Sequence, residues 1–173
     1  MFTRPEDNLR EFNIHENMTV ADLGAGTGFY SILAGKIAYH GKVYAIEVQK
    51  EFLETIRQKA KEARVNNIEA IWGNVEAIGG TKLADNAVDR VIASDLFFQI
   101  EDKDNFIKET KRILKPNGKL LLIDHSTQGF NLGMQQAVHK EEVKKIFEAH
   151  NFSFEKEINA GDQHYGIILI NKK

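Results

Sequence analysis

The run Val20-Ala21-Asp22-Leu23-Gly24-Ala25-Gly26-Thr27-Gly28-Phe29-Tyr30 joins an acidic residue at the end of an apolar stretch to glycines at alternate positions. No other part of the chain limits the fold so strongly. Thr19 to Leu23 reads as a buried parallel strand, and from Phe29 to Tyr39 the residues Phe29, Ile32, Leu33 and Ile37 recur at helical spacing. The glycines therefore occupy a strand-to-helix turn. Without β-carbons, their backbone N–H groups can approach a ligand closely, and the chain can take dihedrals that other residues resist.

A nicotinamide-binding turn reads G-x-G-x-x-G, with glycine or alanine at the position held here by Phe29. In this chain the third glycine, Gly28, comes one place early, and a bulky residue at 29 would crowd the close helix-to-strand packing of the dinucleotide motif. The spacing points instead to S-adenosylmethionine. About twenty residues on, Lys42-Val43-Tyr44-Ala45-Ile46-Glu47 reads as a second strand ending in a carboxylate. That position accepts hydrogen bonds from ribose hydroxyls in doubly wound folds, although Glu47 taken alone could equally be a solvated strand-end charge.

A chain of 173 residues with 42% hydrophobic content suffices for one core, so one domain over residues 1–173 is expected. No apolar stretch approaches the length of a membrane span and Met1-Phe2-Thr3-Arg4-Pro5-Glu6 lacks a signal-peptide core, giving a cytoplasmic location as the expectation. The absence of cysteine excludes disulfides, thiolate metal sites and cysteine nucleophiles. A net charge of −2 gives no general pull toward phosphate backbones, which disfavours nucleic acid as a partner.

Helix and strand alternate along the chain without repeats or a linker, the pattern of an α/β domain. A short helix near Pro5 to Phe12 precedes the first strand, and a helix from about Gln49 to Arg64, with Phe52, Leu53 and Ile56 inward, follows the second. Strand three is Ile68 to Trp72; a loop with Gly79-Gly80 and Asp85-Asn86 leads to strand four, Val88 to Ala93. A helix from about Asp104 to Leu114 and a turn at Pro116-Asn117-Gly118 lead to strand five, Lys119 to Ile123. Helix Lys140 to His150 is followed by Phe152 to Ile158 and His164 to Ile170, two strands joined by so short a Gly-Asp turn that they must be antiparallel.

A mostly parallel, doubly wound sheet of seven strands with a C-terminal antiparallel hairpin is what Rossmann-like methyltransferases build. The chain resembles a class I S-adenosylmethionine-dependent methyltransferase of the broad methyltransferase-11 or ubiquinone/menaquinone-methyltransferase-like group. The resemblance covers nearly the whole chain. The family's first motif matches Asp22-Leu23-Gly24-Ala25-Gly26-Thr27-Gly28, and its second acidic position matches Glu47. Its G-D-A-E motif resembles Gly73-Asn74-Val75-Glu76, and its R-V-L-K-P-G-G signature resembles Arg112-Ile113-Leu114-Lys115-Pro116-Asn117-Gly118. Where many relatives carry two histidines after strand four, this chain has Phe98-Gln99, so chemistry assigned to those histidines does not carry over.

The resemblance implies S-adenosylmethionine as methyl donor, with Gly24, Gly26 and Gly28 beside its methionine and ribose portions and Asp22 holding the ammonium. It implies further that Asn74 and the Val75 backbone read adenine and that Ser94 or the nearby carbonyls face the methionine end. Methyl transfer from a sulfonium needs alignment and exclusion of water more than elaborate catalytic groups.

For the acceptor, the chain lacks the Asn/Asp-Pro-Pro-aromatic motif of exocyclic-amine methyltransferases, reading Ser94-Asp95-Leu96-Phe97 there, and lacks the cysteine needed for covalent pyrimidine C5 methylation. A small-molecule acceptor is expected; protein or RNA methylation, or a subunit that binds S-adenosylmethionine without turnover, are the alternatives. Because ligands lie at the carboxyl ends of parallel strands, Asp124, His164 and Tyr165 are the candidate catalytic residues, as bases or orienting groups. Equally, Asp124 could cap the next segment and Tyr165 could pack in the core. No metal site is expected, since His125, His164 and Asp124 have no recognised ligand spacing. With no cap domain inserted, the N-terminal segment, the loop Ser126 to His139 with Gly129 and Gly133 as hinges, or a homodimer partner would have to cover the site.

Overall fold

The computed structural model describes residues 4–126 and 138–173. Seven strands form one sheet in the order β3-β2-β1-β4-β5-β7-β6. They are β1 (Thr19–Leu23), β2 (Lys42–Glu47), β3 (Ile68–Trp72), β4 (Val88–Ser94), β5 (Leu114–His125), β6 (Phe152–Ile158) and β7 (His164–Asn171). The first five are parallel, and β7 runs antiparallel to both β5 and β6. The helices are α1 (Pro5–Phe12), α2 (Phe29–Ile37), α3 (Lys50–Glu62), α4 (Lys103–Ile113) and α5 (Lys140–Ala149). The expected α/β architecture and C-terminal hairpin are therefore present, and none of the helices among the described residues is long and apolar enough to cross a membrane.

The strand order follows from burial. β1 and β4, apolar along most of their length, sit at the centre, whereas the edge strands β3 and β6 carry charge and exposed positions; Glu155, Lys156 and Glu157 in β6 and a register shift between Phe154 and Lys156 blunt that edge against further pairing. On one face an aromatic group of Phe97, Phe106, Phe147 and Phe152 packs under α4 and α5. On the other, Leu9, Phe12, Ala34, Val43 and Ile168 form a second core under α1 and α2.

Two local expectations change. Helix α2 buries Ser31, Ala34 and Gly35, not Phe29, which is 53% exposed. A β-carbon at Gly35 would stand 2.6 Å from Val65 Cγ1, so the small residues let α2 lie close, and position 29 is not where crowding occurs. The turn at Pro116-Asn117-Gly118 is a bulge inside a longer β5: Leu114 pairs with Val88 and Lys119 with Arg90, and Asn117 takes a left-handed conformation (φ 59°) in the extra residues between. Of the proposed covering loop, residues 127–137 lie outside those described.

Arg112 has a structural use. Its guanidinium donates to Glu109 at 2.8 and 2.9 Å, to Asp85 at 2.7 Å and to the Leu83 carbonyl at 2.8 Å. Glu109, fully buried, also accepts from the Gly79 amide at 2.8 Å and the Thr81 hydroxyl at 2.6 Å. The pair pins the β3-β4 loop to α4. Burial pushes the Glu109 carboxyl up, but the bonds from Arg112, Thr81 and Gly79 outweigh it and bring it down to about 2.

Candidate active site

Strand order reverses at β1, whose neighbours β2 and β4 are followed by chain running to opposite sides of the sheet, and a crevice opens at the carboxyl ends of these strands. A cavity of about 780 Å3 occupies it. Asp22, Gly24, Gly26, Glu47, Asn74, Val75 and Ser94 all line this cavity. Seven of the eight residues expected to hold the cofactor thus meet, though they come from four strand ends. Gly28, the eighth, is buried at the start of α2 with φ 81°, where a β-carbon would meet Ile56 Cγ1 at 2.8 Å; its place is helix packing.

The glycine turn is held by the carboxylate of the neighbouring strand. Glu47 Oε2 accepts from the Gly26 amide at 2.8 Å, while Oε1 accepts from the Val48 and Gln49 amides at 2.8 and 2.9 Å. Gly26 has φ 53°, and a β-carbon there would meet nothing within 4 Å among the described residues, so its absence leaves room in the cavity, not in the core. Asp22 accepts from the Ser31 hydroxyl at 2.5 Å and is buried; burial raises its carboxyl to about 7, against the lowering effect of Ser31. Asn74 Oδ1 accepts from the Glu76 amide at 2.9 Å, which fixes the side chain at the rim, and Val75 packs beneath.

Of the three candidate catalytic residues, only His164 lines the cavity. Asp124 and Tyr165 face each other across β5 and β7, and alternation along a strand sends both to the face opposite His125 and His164. Asp124 accepts from the Phe98 and His125 amides, both at 2.8 Å, and so anchors the 3-10 turn Phe97–Gln99. Burial raises its carboxyl to about 6. Tyr165 is buried, its hydroxyl has no hydrogen-bond partner among the described residues, and burial raises its ionisation well above the ordinary phenol value. Phe97 is core, while Phe98 lays its ring edge-on to His125 at 5.0 Å.

Asp95, Tyr30 and Asn8 line the cavity although the sequence assigns them no role. Asp95, next to Ser94, places Oδ1 3.0 Å from His164 Nε2 and 3.6 Å from His125 Nε2. Tyr30 accepts from Asn8 Nδ2 at 2.9 Å and interacts with Ser94, joining α1 and α2 to the end of β4. The Oδ1 of Asn8, a buried residue, has no hydrogen-bond partner among the described residues. In the sequence, Asp95 stood beside a residue already singled out; nothing marked Asn8, because only docking of α1 brings it to the cavity.

The chain matches the family model described as "Methyltransferase domain" over residues 14–168. It is 30% identical over 122 residues to the demethylmenaquinone methyltransferase of Geobacillus sp. (strain WCH70), covering 70% of this chain and 51% of that protein. To the ubiquinone/menaquinone biosynthesis C-methyltransferase of Haemophilus ducreyi it is 32% identical over 120 residues, 68% of this chain and 45% of that protein. The chain therefore spans about half the length of these relatives. A SAM dependent methyltransferase from Aquifex aeolicus superposes with a TM-score of 0.87 at 30% identity, covering 96% of this chain and 89% of that one. A methyltransferase sheet, a glycine turn tied to the second-strand carboxylate and a family match over most of its length agree: this chain belongs to the methyltransferase domain family.

Proposed function

We propose that this chain transfers the methyl group of S-adenosylmethionine to a small-molecule acceptor. The observation that carries this is the single cavity in which Asp22, Gly26, Glu47, Asn74, Val75 and Ser94 converge beside Asp95 and His164. These residues fit the cofactor. The open side of Gly26 admits a bulky group against the turn, Glu47 retains acceptor capacity for ribose hydroxyls, and the buried Asp22 carboxyl suits an ammonium. Asn74 and the Val75 backbone stand where the adenine would be read.

When bound, the cofactor supplies an electrophilic methyl on a sulfonium. The protein's part is placement and desolvation. Asp22, Glu47 and the glycine turn hold the donor; Phe29, Phe52, Leu96 and Ile100 give the cavity apolar walls. His164 and Asp95 face the acceptor side. Apolar surface from Phe29, Phe52, Leu96 and Ile100, set among polar groups, suits a small molecule with an apolar body, in keeping with relatives named for quinone substrates. Incubating the protein with methyl-labelled S-adenosylmethionine and fractionated small molecules, protein and RNA tests this. Label in the small-molecule fraction with matching S-adenosylhomocysteine is the expected result. Label in protein or RNA favours those acceptors, and binding without turnover on any fraction favours a non-catalytic subunit. A second copy of the chain could cover the open cavity, and light scattering with and without donor tests that.

A further inference from the structure

The ends of three adjacent strands bring together two imidazoles and a carboxylate. The sheet order β4-β5-β7 places Asp95, which follows β4, next to His125 at the end of β5 and His164 at the start of β7. The β5-β7 register sets His125 directly opposite His164, with ring centroids 4.5 Å apart. One donor atom from each of Asp95, His125 and His164 lies within 4.8 Å of the others. Asp95 Oδ1 is 3.0 Å from His164 Nε2 and 3.6 Å from His125 Nε2. Bonds of about 2.0–2.2 Å to a common ion separate neighbouring ligands by about 3 Å in octahedral and about 3.5 Å in tetrahedral geometry, so the two Asp95–histidine separations match.

The backbone carrying the donors is fixed. The Asp95 amide donates to the Ile123 carbonyl at 2.9 Å, the Asp95 carbonyl accepts from Gln99 Nε2 at 2.8 Å, and the Ser126 amide donates to the Gln163 carbonyl at 2.8 Å. Asp95 itself is left-handed (φ 52°), a conformation that aspartate tolerates better than most residues. Phe98 packs edge-on against His125. Asp124, the carboxylate nearest in sequence, cannot join because it faces the other side of the sheet and holds the Phe98 and His125 amides.

We propose that Asp95, His125 and His164 bind one divalent first-row transition-metal ion, whose open positions take an oxygen ligand on the acceptor. Two imidazoles and a carboxylate suit zinc, cobalt, nickel, iron or manganese better than magnesium or calcium, and three protein donors leave coordination positions free. Asp95 and His164 line the cavity, so an oxygen bound there would lie on the acceptor side of the site. The role given to the ion rests on the methyl-transfer proposal; its binding does not.

The test uses untagged protein, stripped with chelator and titrated with Co2+ by absorption and with Zn2+ by calorimetry. One equivalent per chain is expected, and His125→Ala, His164→Ala and Asp95→Asn should each weaken binding by more than about tenfold, with His150→Ala unchanged. If an alanine variant melts early, His125→Gln or His164→Gln takes its place. No saturable binding of either ion, binding that all three variants retain, or binding lost in His150→Ala overturns the proposal, leaving the cluster as aspartate-histidine ion pairs. S-adenosylmethionine titrated into the same metal-free samples separates the two proposals: donor binding without metal binding leaves the methyltransferase standing, and metal binding without donor binding leaves only the ion site.

Discussion

The Glu47 carboxylate accepts a hydrogen bond from the Gly26 amide at 2.8 Å, tying the end of β2 to the turn that follows β1. One side chain thus shapes the turn from which the cofactor proposal starts and lines the same cavity. Glu47→Ala should weaken S-adenosylmethionine binding by about 1.5–3 kcal/mol, the usual range for hydrogen bonds to a charged group. Calorimetry giving wild-type affinity would remove Glu47 from the site.

Gly26→Val should abolish cofactor binding in a protein that still folds. The left-handed φ resists a β-branched residue, and the new side chain would enter the cavity and not the core, because nothing among the described residues lies within 4 Å of a β-carbon there. Circular dichroism should show a native fold and calorimetry no heat. Retained binding would displace the cofactor from this turn.

Cofactor binding should release a proton near neutral pH. Burial holds Asp22 at about 7, and an ammonium beside it would favour the carboxylate. Calorimetry in buffers of different ionisation enthalpy should show net release at pH 6.5–7, declining above about 8, and none in Asp22→Asn. For folding without ligand, the raised value means that Asp22 contributes most below its ordinary 3.8 and that this contribution is lost as pH rises through about 7.

Glu109 works in the opposite direction. Its carboxyl lies at about 2, below the ordinary 4.5, so the stability it contributes is present above 4.5 and lost as pH falls toward 2. Glu109→Gln should cost about 3 kcal/mol at neutral pH, since it leaves Arg112 without its buried partner. It should also flatten the acid limb. Denaturant titrations across this range check both; an unchanged acid limb would mean other carboxylates govern acid unfolding.

Tyr165→Phe should leave turnover unchanged and raise stability by about 1 kcal/mol, because it removes a buried hydroxyl that has no hydrogen-bond partner among the described residues. His164→Ala should lower turnover while keeping donor affinity within about twofold, as it lies on the acceptor side. A turnover loss in Tyr165→Phe at unchanged stability would return that hydroxyl to the reaction.

What could be read from the sequence lay in contiguous runs. The extent of β1, β2, β3 and β6, the alternation of helix and strand, the glycine turn and Glu47 all follow from periodicity, from apolar runs and from glycines where φ turns positive, which depend on neighbours in the chain. Even the antiparallel hairpin was implied by the short turn between β6 and β7. The acceptor side was decided by tertiary structure alone. Whether residue 164 or residue 165 points to the cavity depends on which face of the sheet α1 and α2 cover, and a shift of one residue reverses the answer. Asp124 and Tyr165 therefore fell on the far face, and Asp95, Tyr30 and Asn8 reached the cavity through strand order and helix docking, which are set by pairings between residues far apart in the chain.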